Sequence, residues 1–338
     1  MGDASTGRGG SAASRAMESA RRVSPGWIAV LVCVPVFWGY NWVVMKKALA
    51  YTGPFQFAAW RFLLGSAVLF AAMAIMRRPF GVRPVSGVIW VGLLQTAANT
   101  GFVMWALLGG PAGRAALLSY TMPFWVLLMS WPLLGERPTR LQGIATGAAL
   151  AGIGLIVFAS TASQRGDAAV LALLAGLTWA GGTVVARKLL TRERCDTLAL
   201  TTWQMLVGGL ALEVAALIAP GRPTVWTPSF VLLLAYEVLP ATAVAWLLWV
   251  SLLGKVEASV ASLAILAGPV IGLASSMLEM GERPSRAEAV GMGLMVLALV
   301  LVGPLALRQL HGERPVAGAR WERDRPGGRA PDGRRQGP

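Results

Sequence analysis

The chain carries the same four-residue word twice. Gly135-Glu136-Arg137-Pro138 closes one long apolar segment and Gly281-Glu282-Arg283-Pro284 closes another. A proline stands at the same distance upstream of each, Pro123 and Pro269. Downstream come Arg140 or Arg286 and then a Gly-rich apolar stretch with Gly147 or Gly293. A word repeated at roughly half the chain length marks a duplicated structural unit. Whatever fold the first half takes, the second must take too.

Both units are built for lipid. Of 338 residues, 55% are hydrophobic and only 14% charged, with a mean hydropathy of +0.60; soluble domains are nearer a quarter charged. A hydrocarbon core of about 30 Å takes about 20 apolar residues per helix. The pattern predicts ten such helices, at 27–46, 54–76, 86–108, 112–134, 140–160, 168–190, 197–219, 228–251, 256–279 and 286–307. Breaks such as Arg77-Arg78-Pro79, Gly109-Gly110-Pro111 and Pro220-Gly221-Arg222-Pro223 separate them. The expected class is an all-α polytopic membrane protein. Its first repeat spans 27–160 and its second 168–307, with disordered tails at 1–26 and 308–338. The first apolar run is long and others follow it, so it reads as a retained helix rather than a signal peptide.

Five helices per half is an odd number. The second half therefore enters the membrane from the opposite side, and the halves are expected to be inverted about a pseudo-two-fold axis in the membrane plane, around a central cavity. Such a duplication is the usual architecture of a secondary transporter. Ten spans put both termini on one side. That side also receives Arg77, Arg78, Arg83, Arg137, Arg140, Arg187, Lys188, Arg192, Arg194 and Lys255, whereas Lys46, Lys47, Arg114, Arg165, Arg222, Arg283 and Arg286 fall on the other. The bias and the basic tails predict cytoplasmic termini. The net charge of +14 crowds into those tails without any nucleic-acid motif, so it orients the protein and predicts no nucleic-acid partner.

Several chemistries lack their parts. The cysteines, Cys33 and Cys195, have no metal spacing and make no convincing pair. The one histidine, His311, lies in the tail. A zinc protease would need HExxH, a rhomboid-type protease a membrane histidine, and an aspartyl protease paired membrane aspartates. Asp3, Asp167, Asp196, Asp324 and Asp332 all fall in loops or tails. No metal, cofactor or enzymatic activity is expected.

The duplication reaches beyond the repeated word. Trp38 with Lys46-Lys47 parallels Trp179 with Arg187-Lys188, and Trp60-Arg61-Phe62-Leu63 parallels Trp203-Gln204-Met205-Leu206. With the helix 1 segment Phe37-Trp38-Gly39-Tyr40-Asn41-Trp42, the Arg61-Phe62 pair, the Pro…Gly-Glu-Arg-Pro ending of helices 4 and 9, and Thr242 to Trp249 leading into Lys255-Val256-Glu257-Ala258, the chain resembles the drug/metabolite transporter superfamily, in its EamA-type branch with two EamA repeats. The resemblance covers roughly residues 27–307. It implies ten helices around a central cavity in a bacterial inner membrane, alternating access, and movement of small metabolites, often outward. It implies no particular substrate.

Polar groups inside apolar helices are costly, so each needs a reason. Arg61 in helix 2 offers either an anion site or a structural cation, and the family pattern favours the structural role. Glu237, near the middle of helix 8 and close to Pro240, offers proton coupling or recognition of a cationic group; the bland alternatives are a neutral hydrogen-bonded acid or a static ion pair. Pro240 is expected to free a carbonyl toward the cavity. Asn41, Gln95, Asn99, Tyr120 and Gln204 can each contact a substrate or join helices. Trp38, Trp60, Trp179, Trp203 and Trp246 lie deep enough to floor an aromatic cavity or simply to pack. Of these, Trp38, Trp179 and Trp246 join the candidate substrate-binding set. Trp27, Trp90 and Trp226 suit the interfacial belt. The Gly-Glu-Arg-Pro words read as helix stop and restart signals. Gly143 with Gly147 permits a close helix contact and hence a homodimer.

These features predict a secondary active exporter of a small polar metabolite or amino acid, working by alternating access with Glu237 as proton sensor. An exporter of lipophilic cations is the near alternative. A channel and an intramembrane enzyme are the alternatives of another class.

Overall fold

The computed structural model describes residues 25–109, 112–161, 166–281, 283, 285–287, 289–291, 293–294, 296–298 and 300–301. The two tails, Glu282 and the end of the tenth expected helix lie outside the described residues. In chain order the helices are α1 (Pro25–Ala48), α2 (Pro54–Ile75), α3 (Val85–Gly109), α4a (Ala112–Ser119), α4b (Met122–Leu134), α5 (Arg140–Thr161), α6 (Gly166–Thr191), α7 (Thr197–Ile218), α8 (Pro228–Leu253), α9a (Ala258–Ala264) and α9b (Ala267–Met280). Further helical turns lie within 286–301, and no strand occurs among the described residues. Among the described residues seven segments are long and apolar enough to cross a membrane: α1, α2, α3, α6, α7, α8 and the run Ala258–Met280. Their outward faces expose large apolar side chains, among them Leu64, Leu217, Leu232 and Leu278. Lipid is the solvent those faces fit.

Local chemistry explains the element ends. Asp196 caps α7 by accepting from Ala199 N at 2.9 Å, and Thr227 caps α8 by accepting from Phe230 N at 3.1 Å. Gly135 and Gly281 end α4b and α9b with φ of 77° and 67°, a left-handed turn that glycine takes without a Cβ clash. The repeated word is thus a helix stop at Gly135 and at Gly281.

The fourth and ninth helices differ from the continuous rods the sequence predicts. Each is interrupted, at Tyr120–Thr121 and at Ile265–Leu266. The reason is the repeated proline. Pro123 and Pro269 have no N–H for the carbonyl four residues back, and their rings crowd it. The chain turns at that point instead. A second matched irregularity divides α3 and α8, which contain π-helical turns at Gly92–Ala98 and Glu237–Val244. Pro240 accounts for the second of these. No proline accounts for the first.

Packing between the halves comes in matched pairs. α2 lies along α7, its own counterpart. α1 lies along α9b while α4b lies along α6, and α3 packs on α6 while α8 packs on α1. The two glycine stops sit at opposite ends of the bundle. Glu279, just before Gly281, pairs with Lys47 at the α1–α2 turn. Glu136, just after Gly135, pairs with Arg187 near the end of α6. That end of α6 abuts the start of α3, where Leu189 fills the space beside Gly87.

Candidate functional site

A cavity opens between the halves. It encloses about 550 Å³ counting its mouth, and α1, α2, α3, the α4 break, α6 and α8 all contribute to its wall. Seven of the ten expected site residues line it: Trp38, Asn41, Arg61, Asn99, Tyr120, Trp179 and Trp246. Glu237, Gln95 and Gln204 do not.

Trp38, Trp179, Trp246 and Trp249 form a cluster. Trp38 meets Trp179 edge-on at 5.2 Å between ring centres, Trp246 at 5.8 Å and Trp249 at 5.8 Å; Trp179 meets Trp246 at 5.2 Å. Edge-to-face contact is the favoured aromatic geometry. Trp38 Nε1 donates to the Ala241 carbonyl at 3.0 Å. Ala241 lies in the π turn of α8, so a carbonyl of that turn, on the far side of Pro240 from the one its ring leaves without a partner, orients a cavity tryptophan. Trp60 and Trp203 go elsewhere. Trp60 stacks on Trp226 at 5.0 Å, and Trp203 donates to the Phe80 carbonyl in the turn between α2 and α3. Depth in the sequence did not separate these two from the cavity set, because helix face decides it.

Behind one wall stands a buried ion pair. Arg61 Nη1 lies 2.9 Å from Glu237 Oε2, with the arginine side chain 5% exposed and the glutamate fully buried. Arg61 Nε donates to Thr242 Oγ1 at 3.1 Å, and Nη1 approaches the Met45 sulfur at 3.3 Å. Asn41 completes the group. With its amide set by its surroundings, its nitrogen donates to both carboxylate oxygens, at 2.7 and 2.9 Å. Three helical segments converge here: α1 supplies Asn41 and Met45, α2 Arg61, and the α8 π turn Glu237 and Thr242. Arg61 and Asn41 face the cavity; Glu237 sits behind them. Sequence reading named Arg61, Asn41 and Glu237 separately and left the pair unmade. It missed Thr242 as a partner, although a polar residue two positions after Pro240 was a usable signal.

The remaining candidates divide. Asn99 Nδ2 donates to the Ala175 carbonyl at 2.8 Å, joining α3 to α6 while keeping a face on the cavity. Tyr120 stands at the α4 break, 6.5 Å from Trp42 by ring centres. Gln95 in the α3 π turn donates to Thr183 of α6 at 2.8 Å, and Gly182 lets the two backbones close together. Gln204 is fully buried and is the sequence counterpart of Arg61. Trp42, Thr100, Ser119 and Met122 also line the cavity; Trp42 belongs to the helix 1 segment that carries the family resemblance, and the other three carried no distinctive sequence signal.

A second polar cluster closes the end opposite Lys47. Glu136 Oε1 accepts from Arg187 Nε at 3.1 Å, and its Oε2 accepts from the Ala258 N–H at 2.9 Å. Arg187 Nη1 also donates to the Leu253 carbonyl at 2.7 Å. One first-half carboxylate therefore ties α6 to the α8–α9a turn. Burial raises the Glu136 carboxyl above its ordinary value of 4.5, against the opposing pull of Arg187. A carboxyl raised on folding favours the folded form below its unfolded value and gives that up as pH rises through the folded one. The stability difference between wild type and Glu136→Gln is therefore expected to move against wild type as pH rises from about 4.5, read as detergent melting midpoints across pH.

A helical membrane bundle with one aromatic, polar-studded chamber between two like halves is the build of a small-molecule transporter. The chain belongs to the EamA-like transporter family, whose model matches residues 25–158 and again 167–303. It is 31% identical over 289 residues to the "Probable amino-acid metabolite efflux pump" of Escherichia coli (strain K12), covering 82% of this chain and 93% of that protein. It is 25% identical over 260 residues to the "Uncharacterized transporter YoaV" of Bacillus subtilis (strain 168), covering 75% and 88%. A solved crystal structure superposes with a TM-score of 0.63 at 21% identity, over 86% of this chain and 98% of that one, a likeness of fold. The protein is an integral membrane transporter of small molecules rather than an enzyme.

Proposed function

We propose that this protein is a secondary carrier that exports a small polar metabolite of the amino-acid type across the bacterial inner membrane, with both termini cytoplasmic. The observation that carries the reading is the chamber itself: tryptophan faces for a nonpolar side group, with Arg61, Asn41, Asn99 and Tyr120 for polar groups. An efflux-pump relative and an inner-membrane relative from Escherichia coli (strain K12) support direction and location. In this reading ten spans, two inverted sets of five bounded as 27–160 and 168–307, rock about the chamber. Matched packing, matched breaks in the fourth and ninth helices and matched π turns in α3 and α8 support that geometry. Glu237 exchanges a proton in the cycle. Gln95 joins helices in this reading, and neither Gln95 nor Gln204 touches substrate. The lipophilic-cation alternative loses ground, because Arg61 and Asn41 stand between Glu237 and the chamber.

Proteoliposome counterflow tests the function. A preloaded amino acid should drive saturable uptake of its labelled form, and unsaturable flux would mean a channel. Sidedness tests the inversion. In a background with Cys33 and Cys195 replaced by serine, Pro138→Cys and Arg283→Cys should react with a membrane-impermeant maleimide from opposite faces. Labelling of both from one face sinks the inverted arrangement.

A further inference from the structure

Arg61 lies in the chamber wall, whereas Glu237 does not. The carboxylate is fully buried, covered on the chamber side by Arg61 and Asn41. A substrate cation has no path to Glu237 without displacing both. A substrate anion meets a guanidinium directly. From this placement, and resting on the carrier reading above, we infer that the chamber binds the carboxylate of its substrate at Arg61 together with one proton taken up by Glu237.

The argument is one of charge. Arg61 and Glu237 form a neutral pair in an apolar, tryptophan-lined setting. An anion added at Arg61 leaves two negative groups on one buried cation, an arrangement a low-dielectric site disfavours strongly. Protonating Glu237 restores neutrality and releases the guanidinium fork to the ligand. The groups around Glu237 permit this. On α2 the facing charge is Arg61. On α1 the facing polar group is Asn41, with Tyr40 packed at 5.4 Å on Tyr236. On its own helix the neighbour is Tyr236, whose hydroxyl already donates to the Phe37 carbonyl at 2.9 Å. Among the described residues no second cation faces the carboxylate to hold it ionised once Arg61 turns to the ligand.

Asn41 suits both states. Its nitrogen now donates to both carboxylate oxygens. An amide turned end for end offers its oxygen to the O–H of a protonated Glu237. The proton comes from water and moves onto a carboxylate oxygen; no other bond changes. Binding of the two ligands is then reciprocal, each strengthening the other. Carboxylate and proton cross in the same direction, so an inward proton gradient opposes export of the carboxylate, and the substrate's own gradient drives it.

The test uses the full chain in detergent, with benzoate, L-phenylalanine and N-acetyl-L-phenylalanine as carboxylate probes and benzamide and L-phenylalaninamide as controls. Binding is read by tryptophan fluorescence across pH, and proton uptake by an indicator dye in weak buffer. The carboxylates should bind, weakening about tenfold per pH unit where one proton must be taken up, and should draw protons from the medium. The amides should not bind. Glu237→Gln should bind the same carboxylates with no pH dependence and no proton uptake. The double variant Arg61→Gln/Glu237→Gln, which keeps the site neutral, should lose the preference for carboxylate over amide. Affinity flat across pH in wild type, amides binding as well as carboxylates, or no carboxylate binding at all each overturns the inference. Counterflow separates the two failures: saturable exchange without proton linkage leaves the carrier standing, and loss of exchange removes the carrier reading as well.

Discussion

Glu237→Ala is expected to destabilise the protein by about 3–5 kcal/mol, because it strands a buried guanidinium without its counter-charge. Arg61 is 4% exposed and its other partners, Thr242 and Met45, are uncharged. Neither can neutralise it. The double variant Arg61→Met/Glu237→Leu removes both charges and keeps comparable volume, so it should regain most of that stability. It should nevertheless fail in counterflow, since the chamber wall then lacks the guanidinium of Arg61. Melting midpoints in one detergent, measured for wild type, each single variant and the double, give the coupling directly. Equal stability of Glu237→Ala and wild type would show that the pair does not hold these helices together.

Trp38→Ala should cost a similar amount, about 3–5 kcal/mol, the range for truncating a large buried aromatic. Its ring touches Trp179, Trp246 and Trp249, and its N–H serves the Ala241 carbonyl. Truncation removes those ring contacts and leaves that carbonyl without the indole donor. Trp38→Phe keeps a ring and should lose less. The two differ most in exchange: the alanine variant widens the chamber and should raise the half-saturation concentration, while the phenylalanine variant should stay near wild type. If both melt like wild type, the aromatic cluster is not structural.

Much of this architecture could be read from the chain before any coordinates. The repeated Gly-Glu-Arg-Pro word gave the duplication and two helix stops, since a left-handed turn is where glycine is favoured. Pro123 and Pro269 were visible as a repeat, yet their consequence, a broken helix, went unread because apolar periodicity runs straight through them. The π turn of α8 had a proline to announce it. The turn of α3 had none; it arises where Gln95 meets α6 beside Gly182, a tertiary contact without local signal. At the site, residue chemistry flagged Arg61 and Glu237, but a pair joining residues so far apart in sequence depends on how α2 lies against α8. The same holds for the tryptophans. All five looked deep, and only the helix face separates Trp38, Trp179 and Trp246 from Trp60 and Trp203.

The two ends of the bundle have a further consequence. Arg187 reaches the Leu253 carbonyl at the close of α8, and Lys46 reaches the Leu107 carbonyl near the close of α3, at 2.5 Å. These are corresponding bolts on copied frames, cut from different metal. A guanidinium grips carboxylate and carbonyl together in fixed directions, whereas an ammonium is a swivelling point of charge. Duplication supplied two doors of one pattern; subsequent drift hung them on unlike hinges. In the rocking cycle proposed above this asymmetry favours one resting posture, and the exchange Lys46→Arg/Arg187→Lys should shift it, read as a change in maleimide labelling from the two faces.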